Sequence, residues 1–379
     1  MNNITHNIIT DNSKIITEAL VKSGADVFIG YPITPANLFY LYASKRFPFF
    51  FAAPDEITTV QWMSGFAASG HIPVTATSFP GYSLMIESIN MAYMMELPMV
   101  IILVQRLGPA TGTATCGAQG DIAVVNGTIS GGYTIPTISV SNNLDCWEIG
   151  ARSVKTAVEL RTPVVILTSK EEMMTLFNFD ISQLKDIPAV KQNFFDKKET
   201  YKPYFPDKNL VPEFVPVTSK EHQVRLTAST HDKMGILQNT STEAIENTIR
   251  IKNKIDTNSS KFLFYELDEQ KDASVLLMSY GITSNAAKEA ILKLRADGIK
   301  ISLLIAKTLL PVPNIYYQIH KKYKKIIIAE ENLTGQYRQI MYGMQDTPNI
   351  TGINTIGKMI IPKEIIDKVM ITISSANYE

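Results

Sequence analysis

Six short, largely apolar runs, at 27–29, 49–53, 73–77, 98–104, 135–140 and 163–167, constrain this chain more than any other feature. Each has strand length, and segments of helical length separate them. Runs with so little polar alternation are covered on both faces, so the pattern predicts a parallel sheet with helices on either side. The helices are read at 13–23, with Asn12 or Ser13 as cap, at 38–46, from Asp55-Glu56 to near Gly70, over a methionine-rich stretch to Leu97, and at 144–160. The small residues Ser64, Ala67 and Ala68 in the third of these permit close approach of a neighbour and suit an interface. From about Asn178 to Lys261 the periodicity fades into Pro, Lys and aromatic residues, which reads as a linker. A second alternation follows: strands at 273–280, 300–305 and 324–329, with helices at 284–296 and 365–373. The expected organisation is α/β throughout, with one domain over 1–177, a linker region over 178–261 and a smaller α/β domain over 262–379.

Length and charge narrow the partners. A chain of 379 residues, 45% hydrophobic and 19% charged, can bury two ordinary cores. Its 36 basic and 36 acidic residues leave no net field to draw nucleic acid or an anionic membrane. The most hydrophobic run, at 97–104, is much too short to span a bilayer. Residues 1–11 mix Asn, Thr and His with no basic start and no long apolar core, so no secretory signal is read and the cytoplasm is expected. Cys116 and Cys146 lie far apart with no C-x-x-C spacing, so the cysteines of this chain alone cannot hold an iron–sulfur cluster or a structural zinc.

One stretch stands out chemically. In Asp26-Val27-Phe28-Ile29-Gly30-Tyr31-Pro32-Ile33-Thr34-Pro35, a buried strand ends at a glycine turn. Pro32 and Pro35 then stiffen the loop and bias Tyr31 and Thr34 toward extended backbone. Their hydroxyls therefore sit at a strand's carboxyl end, where open α/β sheets place ligands. Residues 105–121 form a second long loop, rich in glycine and following another strand, which is more than a connector needs.

Further runs complete a recognisable series: Asp55-Glu56-Ile57, Thr75-Ala76-Thr77-Ser78, Pro80-Gly81-Tyr82-Ser83-Leu84-Met85, Gln105-Arg106 with Gly108-Pro109-Ala110-Thr111-Gly112, and Gln119-Gly120-Asp121. Arg161-Thr162-Pro163-Val164, His231-Asp232 with Gly235, Ser279-Tyr280-Gly281, and Asn332 with Gly335-Gln336-Tyr337 follow in order. Together with Gly30-Tyr31-Pro32-Ile33-Thr34-Pro35, they resemble the α subunit of 2-oxoacid:ferredoxin oxidoreductases, enzymes that use thiamine diphosphate. The resemblance runs from the first helix to about residue 340. It implies a doubly wound, pyrimidine-type thiamine-diphosphate-binding domain followed by a smaller α/β domain like the transketolase C-terminal one. It also implies oxidative decarboxylation of a 2-oxoacid with coenzyme A, electrons passing to ferredoxin. The family's β subunit holds the diphosphate through Gly-Asp-Gly with Mg2+ and carries a [4Fe-4S] cluster, in a heterodimer or dimer of heterodimers. Gly120-Asp121 is not that motif, because Ile122 stands where a glycine must let the backbone approach a phosphate. The chain is therefore expected not to work alone.

By the same resemblance, Glu56 is the catalytic carboxyl set against the aminopyrimidine of the cofactor, with the run at 49–53 supplying apolar surroundings. Asp55 beside it reads as a helix cap. Thr34 and Arg106 resemble the pair that takes the 2-oxoacid carboxylate, and Tyr31, Pro32, Ile33 and Phe79 stand at the cofactor. His71 is read as a surface or cap residue, His231 as part of the linker, and Met85, Met91, Met94, Met95 and Met99 as core filler. The sequence departs from the family at Phe79, where a glycine is usual, in 127–133, which lack a histidine, and at Lys170, where an acid is usual. Those departures keep two alternatives open: a divergent thiamine-dependent decarboxylase or carboligase subunit, and a non-catalytic scaffold. Neither charge nor motif separates 2-oxoglutarate from pyruvate or branched 2-oxoacids.

Overall fold

The computed structural model describes residues 6–206, 208–345 and 347–376, so residues 1–5 of the N-terminal segment read above lie outside the described residues. The chain runs β1 (Asn7–Thr10), α1 (Asn12–Lys22), β2 (Val27–Gly30), α2 (Asn37–Arg46), β3 (Phe49–Ala52), α3 (Glu56–Ala68), β4 (Pro73–Thr77), α4 (Phe79–Met94) and β5 (Met99–Gln105). After a loop come α5 (Ile122–Asn126), β6 (Thr137–Ser139), α6 (Asn143–Leu160), β7 (Pro163–Ser169), α7 (Lys170–Met174) and β8 (Phe177–Asp180). The C-terminal part holds α8 (Thr242–Thr257), β9 (Tyr265–Asp268), β10 (Val275–Ser279), α9 (Thr283–Ala296), β11 (Ile301–Ala306), β12 (Thr308–Leu310) and α10 (Asn314–His320). It closes with β13 (Lys325–Glu330), α11 (Gln336–Tyr342), β14 (Ile350–Asn354) and α12 (Pro362–Ala376).

Among the described residues the main sheet has seven strands in the order β12-β6-β7-β5-β4-β2-β3, and the second has five in the order β14-β13-β10-β11-β9. Both are parallel except at one edge, where β12 runs against β6 and β9 against β11. β4, β5 and β7 are buried along their whole length, which explains their largely apolar runs. β1 and β8 form a separate antiparallel pair. Helix α1 is capped by Asp11, whose Oδ1 accepts from the Lys14 amide at 3.0 Å, not by Asn12 or Ser13. Those two side chains are engaged across the layer instead, Asn12 Nδ2 donating to Glu172 O and Ser13 Oγ to Met173 O, both at 2.9 Å.

The two sheets are stitched together. β12 belongs in sequence to the second alternation, yet it pairs with β6 of the main sheet. Beside it Ser139 N donates to Lys307 O at 2.6 Å, and Lys307 Nζ reaches Asp145 Oδ1 at 2.6 Å. One apolar core runs through both parts, from Leu103 and Tyr82 to Met278, Tyr280 and Leu304. Within the stretch read as linker, α8 is a full helix bonded to the main sheet through buried charges. Arg250 and Lys254 both donate to Glu96, at the turn between α4 and β5, with Lys254 Nζ 2.7 Å from Glu96 Oε2. Arg161 adds bonds from its side chain to the carbonyls of Glu96, Pro203, Pro212 and Glu213, fastening the polar segment beside the start of β5. Among the described residues no helix is long and apolar enough to cross a membrane.

Candidate active site

The registers Gly30↔Ala52, Thr77↔Leu103 and Gln105↔Ser169 bring the carboxyl ends of β2, β3, β4, β5 and β7 to one edge of the main sheet. The residues that follow those ends are Tyr31 to Thr34, Ala53 to Glu56, Ser78 and Phe79, Arg106, and Lys170. They are thus gathered along the ligand-binding edge by topology alone.

Asp55 caps α3, its Oδ1 accepting from the Thr58 amide at 2.7 Å, and that bond holds its carboxyl below the ordinary range. Glu56, the first helical residue, is 7% exposed. Its carboxyl lies against Gly81 in the first turn of α4, where a Cβ would stand 2.2 Å from Thr77 Oγ1 and 2.6 Å from Glu56 Oε1. Gly81 therefore leaves the space that the carboxyl fills. The rings of the preceding run also pack on one another's neighbours: Phe49 edge-on to His71, Phe50 on Phe28 and Tyr40, and Phe51 on Phe66.

Thr34 and Arg106 meet, but through backbone. Arg106 Nη1 donates to the Thr34 carbonyl at 2.5 Å, while Arg106 Nε is buried with no partner. Burial draws the guanidinium below its usual range and the nearby charge of Asp121 opposes this. Tyr31 and Pro32 are exposed, and Ile33 is half-buried against the core beneath. Phe79 is half-buried as the first residue of α4 and is followed by Pro80, so the bulky residue belongs to the helix itself. Lys170 opens α7, with Nζ 3.9 Å from Glu171 Oε1. His71 pairs with Asp26 at 2.7 Å. His231, within the stretch read as linker, is fully buried: its ring lies 3.9 Å from that of Tyr204, and Nδ1 is 2.6 Å from Ser229 O.

Two residues at the far end of the 106–121 loop acquire a meaning that spacing did not reveal. Asp121 is buried, leaves Oδ2 without a partner, and does not cap α5 with its side chain. Burial pushes its carboxyl up to about 7 against the pull of Arg106. Gln119 reaches into the second sheet, where Nε2 donates to Tyr280 O at 2.8 Å and Oε1 accepts from Thr283 Oγ1 at 3.0 Å and from Glu331 N at 2.8 Å. Its backbone bonds Glu331 O and Asn332 Nδ2. The runs Gln119-Gly120-Asp121, Tyr280-Gly281 and Asn332 to Gly335, scattered in sequence, are thus one junction. Their signals in the sequence were their places in the series of runs that carries the family resemblance and the polar residues beside glycines at strand ends. Among the described residues, no three His, Cys, Asp or Glu side chains are grouped to hold a metal ion.

Residues 18–250 match the family described as Pyruvate flavodoxin/ferredoxin oxidoreductase, thiamine diP-bdg, and residues 273–364 match Pyruvate:ferredoxin oxidoreductase core domain II. The 2-oxoglutarate synthase subunit KorA of Methanocaldococcus jannaschii is 29% identical over 342 residues, covering 89% of this chain and 92% of the relative. Ketoisovalerate oxidoreductase subunit VorB of Methanothermobacter thermautotrophicus is 27% identical over 370 residues, covering 96% of both. Among solved structures, the 2-oxoglutarate:ferredoxin oxidoreductase from Magnetococcus marinus with 2-oxoglutarate, coenzyme A and succinyl-CoA bound superposes with a TM-score of 0.91 at 25% identity. That match covers 97% of this chain and 66% of the other.

Proposed function

Because this chain belongs to the pyruvate flavodoxin/ferredoxin oxidoreductase family, whose thiamine-diphosphate-binding segment spans residues 18–250, we propose that it is the α subunit of a 2-oxoacid:ferredoxin oxidoreductase. In this reading 1–177 is the cofactor domain, 178–261 the connecting region and 262–379 the C-terminal domain. The relatives' names, 2-oxoglutarate synthase and ketoisovalerate oxidoreductase, support a 2-oxoacid as the substrate class. The acyl group goes to coenzyme A, carbon dioxide leaves, and two electrons pass to ferredoxin. A β partner supplies the diphosphate motif, Mg2+ and the [4Fe-4S] cluster, in a cytoplasmic heterodimer or dimer of heterodimers.

The edge residues fit half of a thiamine centre. Glu56 is a buried carboxyl at a helix start, with space kept for it by Gly81, beside stiff loops from β2 and β5. Bound thiamine diphosphate supplies the carbanion chemistry. This chain's part is to hold a proton at Glu56 toward the pyrimidine nitrogen, to line the ring with Tyr31, Pro32, Ile33 and Phe79, and to take the substrate carboxylate on Arg106 beside Thr34. A guanidinium suits that task, because charge-assisted bonds to a carboxylate are about twice as strong as neutral ones.

The observation that carries this reading is the burial of Glu56 against Gly81 on the carboxyl edge of a parallel sheet. Glu56→Gln keeps shape and hydrogen bonds but cannot share a proton. In the assembled complex it should bind cofactor while hydrogen–deuterium exchange at C2 of the thiazolium falls on the order of 100-fold or more. Parental exchange in Glu56→Gln would assign the role to another carboxyl.

A further inference from the structure

Arg106 and Asp121 bracket the glycine-rich loop, and each keeps a buried polar atom unused: Arg106 Nε and Asp121 Oδ2 have no hydrogen-bond partner. They are held in a common frame. Asp121 N donates to Gln105 Oε1 at 3.1 Å, and Gln105 Nε2 donates to Thr168 O at 3.2 Å, so the residue before Arg106 ties Asp121 to the end of β5. Orphaned buried groups cost free energy, and a pair of opposite sign at one site calls for a reason. We infer that Asp121 is a positioning residue for substrate binding: ionised, it balances Arg106 in the free site, and it takes a proton from solvent when a 2-oxoacid carboxylate occupies Arg106.

The inference rests on the proposed role of Arg106 as carboxylate receptor. The groups within electrostatic reach of Asp121 support it. On its own side of the sheet these are Arg106 at the end of β5 and Tyr82 of α4, and from the second sheet Tyr280 after β10. Both phenols are held neutral by burial, and Tyr82 OH is bonded to Thr128 Oγ1 at 2.8 Å, so Arg106 is the charge that Asp121 answers. A second anion on Arg106 would face an ionised Asp121 in a medium of low dielectric, and protonation removes that repulsion. Burial already places the carboxyl at about 7, where the exchange is easy. Binding and protonation are then linked, and each favours the other by the same factor.

The test uses the complex assembled with its β partner. With 2-oxoglutarate and pyruvate as substrates, the wild-type KM should rise about tenfold from pH 6 to pH 9. In Asp121→Asn, which mimics the protonated form, KM should stay level over that range. A structural role alone would shift KM without flattening its pH profile, so a slope retained in Asp121→Asn overturns the inference. Should that variant fail to assemble, calorimetry of oxamate binding to the wild-type complex at pH 8, in buffers of different ionisation enthalpy, decides. Net proton uptake supports the inference and its absence overturns it. Arg106→Ala separates the two readings. If it raises KM while the slope survives in Asp121→Asn, only the inference about Asp121 falls. If it leaves KM unchanged, the carboxylate-receptor reading falls and takes this one with it.

Discussion

An absent side chain decides where the candidate catalytic carboxyl can sit. A methyl group at position 81 would meet Thr77 Oγ1 at 2.2 Å and Glu56 Oε1 at 2.6 Å, both far inside van der Waals contact. Either Glu56 or the first turn of α4 must then move. Gly81→Ala should cost about 1–3 kcal/mol as an overpacked site. Displacing Glu56 should lower C2 exchange in the assembled complex about 100-fold, as small misplacements of reacting groups do. Gly65 in α3 is the control, because a Cβ there meets nothing within 4 Å. Gly65→Ala should leave the isolated chain equally stable or about 1 kcal/mol more so. If denaturation midpoints and exchange rates did not separate the two variants, the packing account of Glu56 would be wrong. The sequence marked Glu56, Thr34 and Arg106 as candidates through the company they keep in order along the chain. It did not show that Gly81 is a vacancy for Glu56, or that Asp121 turns inward, since both facts depend on segments far apart in sequence.

Most strands buried along their length were readable, though β12 was not, and most strands of mixed exposure were missed, though the apolar edge strand β3 was not. β2, β4, β5, β7, β10, β11 and β13 all appear in the pattern as apolar runs. β1, β9 and β14 are short edge strands with mixed exposure, so they carry no such run. Helix α8 was lost for a sharper reason: its buried face includes Asn247, Arg250 and Lys254, which any pattern of apolar periodicity counts as outward. What admits them is Glu96. Burial works against its ionisation, yet the charges of Lys254, Arg250 and Arg161 outweigh that and hold its carboxyl well below the usual range. Burial also lowers Lys254 to about 8 against the attraction of Glu96. Removing the anion strands two buried cations, so Glu96→Gln should destabilise the chain by about 3–5 kcal/mol in urea titrations. The pH dependence follows from the sign of the shift. A depressed carboxyl stabilises fully above its unfolded pKa of 4.5, and the contribution is lost as pH falls below that value. Glu96→Gln should therefore lose part of the acid sensitivity of the parent. An unchanged stability curve would mean that α8 is held by its apolar contacts alone.

At the scale of the whole chain, one amide ties the two sheets at the strand ends, in addition to the β12–β6 pairing and the shared apolar core. Gln119 leaves the main sheet's 106–121 loop and satisfies Tyr280 O, Thr283 Oγ1 and Glu331 N while itself fully buried. Gly281 has φ +59, and a Cβ there would stand 2.6 Å from Gln119 Nε2, so the second sheet is shaped to receive this side chain. Asp121 is two residues further on, so the insertion fixes the end of the 106–121 loop opposite Arg106. Gln119→Leu preserves bulk but leaves the Tyr280 carbonyl and the Glu331 amide without this partner and takes one acceptor from the Thr283 hydroxyl. Each costs about 1–3 kcal/mol, so a loss of roughly 3 kcal/mol or more is expected. The loss should also be local. Hydrogen exchange should rise first at the ends of β10 and β13 and in the 106–121 loop, where the junction is made, while the centres of β5 and β7 keep their protection. Exchange that rose evenly across both sheets would show that the common apolar core, not Gln119, holds the parts together. A variant with parental protection at Tyr280 and Glu331 would show that the β12–β6 pairing suffices.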